Sequence, residues 1–144
     1  MTIIEIVIAL AIVGTLAAIA IPMYADYRYR AQVTQARSDI IDLGVEIARY
    51  QSDYLGQLPD DLDAIGKAGL LDPWGNSYQY HNLTTLAGKG KARKNKKLVP
   101  INSDYDLYSM GRDGDSKGPL TAKASRDDIV RANNGRFIGL ASEY

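Results

Sequence analysis

Hydrophobic positions along this chain follow two different rules. From Ile3 to Ile21 almost every side chain is apolar and only one, Glu5, is charged. Nineteen residues at 1.5 Å rise make a helix of about 28 Å, close to the roughly 30 Å hydrocarbon thickness of a bilayer. An all-apolar cylinder of this length has nowhere to be surrounded inside one modest domain, so the segment is expected to span a membrane rather than to form a core helix. Only Met1 and Thr2 precede it, without the basic stretch that opens a secretory signal, so an anchor is expected and not a cleaved signal. Gly14 and Pro22 weaken the helix, and proline removes one main-chain hydrogen bond, which predicts a helix break, a kink or a locally melted stretch, between them.

Beyond Pro22 the pattern narrows to a seam. Tyr29, Val33, Ala36, Ile40, Leu43, Ile47, Tyr50 and Tyr54 follow alternating steps of four and three, while Arg37, Asp39, Asp42, Glu46 and Arg49 fall off the seam. One long amphipathic helix therefore continues the apolar segment. A coiled coil would use the same spacing, but the ninety residues that follow need a surface to pack on, and the seam is expected to be the spine of a small domain. Leu58 to Leu62 reads as a turn and the start of a short helix with Asp60 as cap, ending near Gly66 and Gly69. Asp72-Pro73-Trp74-Gly75-Asn76 is a turn, Ser77 to Tyr80 alternates as a strand does, and a second strand is expected around Tyr105 to Tyr108. Trp74 is expected to plug the core or the turn. The fold class is α+β, a long N-terminal helix packed on a small antiparallel sheet, with residues 1–25 as apolar helix and 26–144 as a globular domain.

Composition narrows the function. The 144 residues carry 17 basic and 17 acidic side chains, so no global charge points to nucleic acid. There is no cysteine and one histidine, His81, which excludes disulfides, thiolate metal sites and multi-histidine zinc sites. No glycine-rich phosphate loop or nucleophile-base arrangement is visible, so no enzyme is expected.

Glu5 is the exception within the apolar run. An intramembrane carboxylate marks a functional site by default, and the next basic side chain is Arg28. The nearest cation is an α-amino group, either the chain's own at Met1, about 6 Å along the axis, or that of a neighbouring copy. Identical helices packed with an axial offset would pair the amino group of one with Glu5 of another and so set the register of a self-assembling array. The alternative is that Glu5 lies near the interface and reaches out to water.

A second constellation contains Asp113 and Asp115, followed by Asp127 and Asp128. Such carboxylates would repel one another on convergence unless a hard cation were bound, and calcium suits them. The EF-hand spacing fails, since counting from Asp113 puts Lys117 at the fifth position and Ala124 at the twelfth. Solvated surface aspartates are the alternative. Between the two strands lie six basic residues in nine, Lys89 to Lys97. A solvated loop explains such a run, as does lateral pairing with an acidic face of another subunit, since the remainder of the chain is then net acidic by six.

Together, Met1-Thr2-Ile3-Ile4-Glu5, the apolar helix to Ile21, Pro22, and Tyr24 to Ala31 resemble the mature amino terminus of the type IV pilin superfamily, which includes the pseudopilins of type II secretion. Asp72-Pro73-Trp74-Gly75-Asn76, Asp106-Leu107-Tyr108-Ser109-Met110-Gly111-Arg112-Asp113-Gly114 and Asp127-Asp128-Ile129 resemble the major pseudopilin in particular. The resemblance implies removal of a short basic leader by a prepilin peptidase, with Met1 the mature, N-methylated first residue. It also implies a single-pass inner-membrane subunit with a periplasmic C-terminal domain. That subunit polymerises with minor pseudopilins and the secretion or pilus assembly machinery into a helical filament that helps export folded proteins. Asp113, Asp127 and Asp128, with the backbone carbonyl of Met110, would be ligands for Ca2+. Two features depart from the pattern: a long, basic stretch from Asp115 to Arg126, and fifteen residues beyond Ile129. The major pilin of an extracellular type IV pilus shares the whole amino-terminal pattern, and a monomeric anchored domain that binds an anionic ligand through residues 89–97 is the alternative of a different class.

Overall fold

A computed structural model describes residues 1–144, apart from the side chains of residues 86 and 89. The chain divides into two units, residues 1–32 and residues 33–144. Helix α1 runs from Ile3 to Asp53. No stretch between Gly14 and Pro22 is melted, since all residues on both sides of them are helical. Pro22 removes a single donor, and a helix of this length keeps the bonds of the turns on either side. The helix stops after Asp53, where Leu55 and Gly56 take positive φ of 53° and 87° and the Gly56 N–H donates back to the Gln51 carbonyl.

Within the second unit the predicted seam is the buried one. Ala36, Ile40, Leu43 and Ile47 are buried against Leu62, Tyr78, Tyr105, Leu107 and Ile129, with Val33, Leu58 and Trp74 around them. Each large aliphatic side chain so buried contributes about 1.5 to 3 kcal/mol. Trp74 thus packs where a core plug was expected. Off the seam, the Tyr78 hydroxyl donates to Asp39 at 2.7 Å and the Tyr80 hydroxyl to the Pro59 carbonyl at 2.8 Å.

The sheet is an antiparallel meander of four strands in sequence order: β1 (Gln79–Asn82), β2 (Tyr105–Ser109), β3 (Ile129–Ala132) and β4 (Phe137–Leu140). A four-residue helix, α2 (Leu86–Lys89), follows β1. β1 starts two residues later than its alternation suggests, and β3 and β4 were not foreseen. The short helix after Leu58 is one 3-10 turn, Asp63–Ile65, and the carboxylate that caps it belongs to Asp61, which accepts the Ala64 N–H, and not to Asp60.

Strand alternation explains why β2 and β3 are buried throughout. Tyr105, Leu107 and Ile129 face the helical seam, whereas Tyr108, Val130 and Ala132 form a second cluster with Ile101, Leu120 and Ala141. The reverse face of the sheet is therefore covered as well, by segments on either side of β2 and by the C-terminal turn.

Candidate functional site

The amino-terminal end of α1 is closed by a reciprocal cap. Glu5 Oε2 accepts the Thr2 N–H at 2.6 Å and the Thr2 hydroxyl at 2.9 Å, while Thr2 Oγ1 accepts the Glu5 N–H at 3.3 Å. The Thr2 carbonyl takes the first helical bond, from Ile6 at 3.3 Å. This is a capping box, Thr-x-x-Glu, and it gives Glu5 a second task that its charge alone does not suggest. From Met1 to Arg28 every residue except Ala17 is exposed, so the apolar cylinder is bare. One helix here is long and apolar enough to cross a membrane.

In the second unit the residues singled out for metal are placed as follows. Asp113 is exposed, Asp127 half-buried and Asp128 fully buried. Asp127 Oδ2 accepts the Asp113 N–H at 3.0 Å, and Asp113 Oδ1 accepts the Asp115 N–H at 2.9 Å, so both carboxylates serve the loop's main chain. Gly111, at φ +67°, lets this loop approach: a Cβ there would lie 2.3 Å from the Asp127 carbonyl oxygen. Met110 is half-buried and packs on the reverse-face cluster. Among the described residues no three carboxylate or imidazole side chains gather as one ligand set. Calcium takes six to eight oxygens, and Asp113, Asp127 and Asp128 with the Met110 carbonyl do not present such a shell, because Asp128 is turned to another partner.

That partner is Arg93. Its Nη2 lies 2.6 Å from Asp128 Oδ2, and both side chains are almost wholly buried. Ser116 joins them, its hydroxyl donating to the same carboxylate oxygen at 2.6 Å and accepting from Arg93 Nη1. Burial pushes the Asp128 carboxyl up to about 6, against the opposing pull of Ser116 and Arg93. The Arg93 N–H donates to Asp106 Oδ2 at 2.6 Å, and Asn102 Nδ2 donates to Asp106 Oδ1 at 2.8 Å. The guanidinium lies over the Tyr108 ring, 4.2 Å from its centre. Arg93 comes from the basic run read as solvated. Its neighbours hold it inside, since Lys94 exchanges main-chain bonds with Gly118 and Leu120. Lys91, Lys94, Lys96 and Lys97 are exposed as a solvated run should be, and the Lys89 side chain lies outside the described residues.

The opposite face carries a parallel arrangement. Arg131 reaches Asp104 through both terminal nitrogens, at 2.9 and 2.7 Å, and lies 3.9 Å above the Tyr105 ring. Asp72 ties the Asp-Pro-Trp-Gly-Asn turn to the loop after β2. Its Oδ1 accepts the Trp74 and Asn76 N–H groups at 3.0 and 2.9 Å, and its Oδ2 accepts the Ser109 hydroxyl at 2.6 Å. Ser109 Oγ in turn accepts the Gly111 N–H at 3.0 Å. His81 is half-buried in β1 opposite Asp106, and burial together with nearby Lys91 holds its pKa below the usual imidazole value.

Sequence reasoning missed Arg93, Asp106 and Ser116, and only the Thr2-x-x-Glu5 pattern was readable as it stands. The fold defined here is α+β: a long helix, bare and apolar in its first part, whose continuation packs on an antiparallel sheet. No family model and no solved structure matches the chain. Curated relatives do. The type II secretion system core protein G of Pseudomonas aeruginosa is 30% identical over 138 residues, covering 81% of this chain and 85% of that protein. The type IV major fimbrial protein FimA of Dichelobacter nodosus is 34% identical over 140 residues, covering 95% and 82%. The type IV major pilin protein PilE of Neisseria gonorrhoeae is 29% identical over 138 residues, covering 92% and 81%. The chain belongs to the type IV pilin superfamily, and core protein G of type II secretion is among its relatives.

Proposed function

We propose that this chain is the repeating structural subunit of a type II secretion pseudopilus, a helical homopolymer that helps move folded proteins across the outer membrane, and that it performs no catalysis. The bare apolar cylinder with its single carboxylate carries this reading. Left in water, that surface would drive association, so it must be covered by lipid before assembly and by identical helices afterwards. In that reading the subunit waits in the inner membrane with residues 33–144 in the periplasm, and minor pseudopilins with the assembly machinery start the filament. Similarity to core protein G over four-fifths of the chain supports the secretion branch.

A second reading, the major pilin of an extracellular type IV pilus, is favoured by one observation. The C-terminal tail is tied to the end of the loop where calcium was expected, the Ala141 N–H donating to the Asp128 carbonyl at 2.9 Å and the Ser142 N–H to the Arg126 carbonyl at 3.3 Å. Deleting the gene in the organism that encodes it distinguishes the two. Folded exoproteins should accumulate in the periplasm while surface filaments persist. Normal secretion with loss of surface filaments would select the pilus, and no change in either would overturn both.

A further inference from the structure

The loop between β2 and β3 is held by a cation that belongs to the chain itself. Arg93 is 2% exposed and reaches two buried carboxylates from different segments, Asp128 through its guanidinium and Asp106 through its main-chain N–H. Ser116, from the middle of the loop, is bonded to both Arg93 and Asp128, so three segments meet at one charge pair. The arginine is delivered there by a fixed backbone. The Lys94 N–H donates to the Gly118 carbonyl at 3.1 Å, the Leu120 N–H to the Lys94 carbonyl at 2.8 Å, and the Ile101 N–H to the Arg93 carbonyl at 3.1 Å. The Tyr108 ring below the guanidinium completes the enclosure.

A divalent cation would need the same carboxylates turned toward a common centre with oxygens all round it. Here Asp128 Oδ2 is taken by the N–H of Arg93 and the O–H of Ser116. Among the described residues, the remaining Asp128 oxygen, Oδ1, is buried without a hydrogen-bond partner, and no group of three carboxylate or histidine side chains gathers around it. Asp113 and Asp127 each place one carboxylate oxygen on a main-chain N–H of the loop, and both reach solvent. The permanently charged guanidinium pairs with Asp128, the one fully buried carboxylate of the loop, and lies near buried Asp106 as well, whereas Asp113 is exposed and Asp127 half-buried.

We propose that Arg93 is a built-in cation that closes the 110–128 loop in place of a divalent metal, so that the folded subunit neither requires nor responds to calcium. A tethered cation is present at fixed local concentration, so chelation or dilution does not remove it, whereas a bound ion stabilises only by mass action. The proposal concerns the folded domain and stands whichever filament the subunit builds.

The test uses the full chain in detergent, with the fluorescence of Trp74, the single tryptophan, as the melting signal. Wild-type protein is expected to melt within about 1 °C of the same temperature in millimolar calcium chloride and in excess EGTA, and calcium titration by calorimetry is expected to show no saturable site. Arg93→Ala leaves Asp128 buried and unpaired and is expected to melt about 10 °C lower or to fail to fold, with Arg93→Lys between it and wild type. Saturable one-to-one calcium binding to the wild type, a calcium-induced rise of several degrees, or wild-type melting of Arg93→Ala would each overturn the proposal.

Discussion

Asp72 is the residue whose removal tests most directly how the turn before β1 supports the loop after β2. It is 4% exposed and accepts three hydrogen bonds, two from the main chain of its own turn and one from Ser109, which relays to the Gly111 N–H. Bonds to a charged acceptor contribute about 1.5 to 3 kcal/mol each and are not additive within one network, so Asp72→Ala is expected to cost about 3 to 5 kcal/mol. For a domain of this size that is a fall of about 12 to 20 °C in melting temperature. Asp72→Asn keeps an acceptor for the Trp74 and Asn76 N–H groups and presents its amide to Ser109, so it is expected to cost only about 1 to 2 kcal/mol. Scanning calorimetry of a fragment beginning at residue 26 measures both, because all core residues lie within residues 33–144. A melting temperature for Asp72→Ala within about 2 °C of wild type would refute the relay. So would an Asp72→Asn variant as unstable as Asp72→Ala, since acceptor geometry would then not be what matters.

Three further outcomes are expected. Glu5→Gln keeps the capping box with Thr2 but removes the charge, so it should insert into membranes normally and fail to assemble, whereas Glu5→Ala should also fray the helix start; filament counts by electron microscopy and helicity of the amino-terminal peptide separate the two effects. Gly111→Ala combines a left-handed φ of +67° with a 2.3 Å clash on the Asp127 carbonyl, and urea unfolding should show a loss of about 2 to 4 kcal/mol. His81 has its pKa lowered in the folded state by burial and by Lys91, so the unfolded chain binds its proton more readily and the stability it lends is full above pH 6.5 and lost as pH falls; wild type should therefore lose more melting temperature than His81→Gln between pH 7.5 and 5.5, and equal losses would count against that burial.

The parts legible in the sequence were those governed by period and local chemistry. The seam from Ala36 to Ile47 repeats often enough that its buried face could only be one face, and the strand expected around Tyr105 to Tyr108 is β2. β3 was hidden because Arg131 occupies an inward position where an apolar residue is expected; only its stacking on Tyr105 and its bonds to Asp104 make it an interior side chain. β4 was announced by Asn133-Asn134-Gly135, whose positive φ values of 53°, 55° and 89° make the turn between β3 and β4, a signal present in the sequence and not used. Arg93 could not have been found this way. Six basic residues in nine are equivalent in sequence, and which one turns inward depends on Asp106 and Asp128, 13 and 35 positions away.

The charges of this chain divide by how they are compensated, and that division separates folding from assembly. Arg93 with Asp128 and Arg131 with Asp104 are paired within residues 33–144, and each guanidinium is stacked on a tyrosine of β2, so the two pairs fix the two faces of one sheet from inside the domain. Glu5 is satisfied differently. Its bonds go only to Thr2, three residues before it, and they leave a net negative charge on an apolar surface. Helix geometry meets the hydrogen-bonding needs of that carboxylate, while its charge is left to an α-amino group, that of its own Met1 or that of a neighbouring copy. If a neighbour's amino group supplied it, the one charge of the apolar segment that the folded domain does not use would set the register between identical helices.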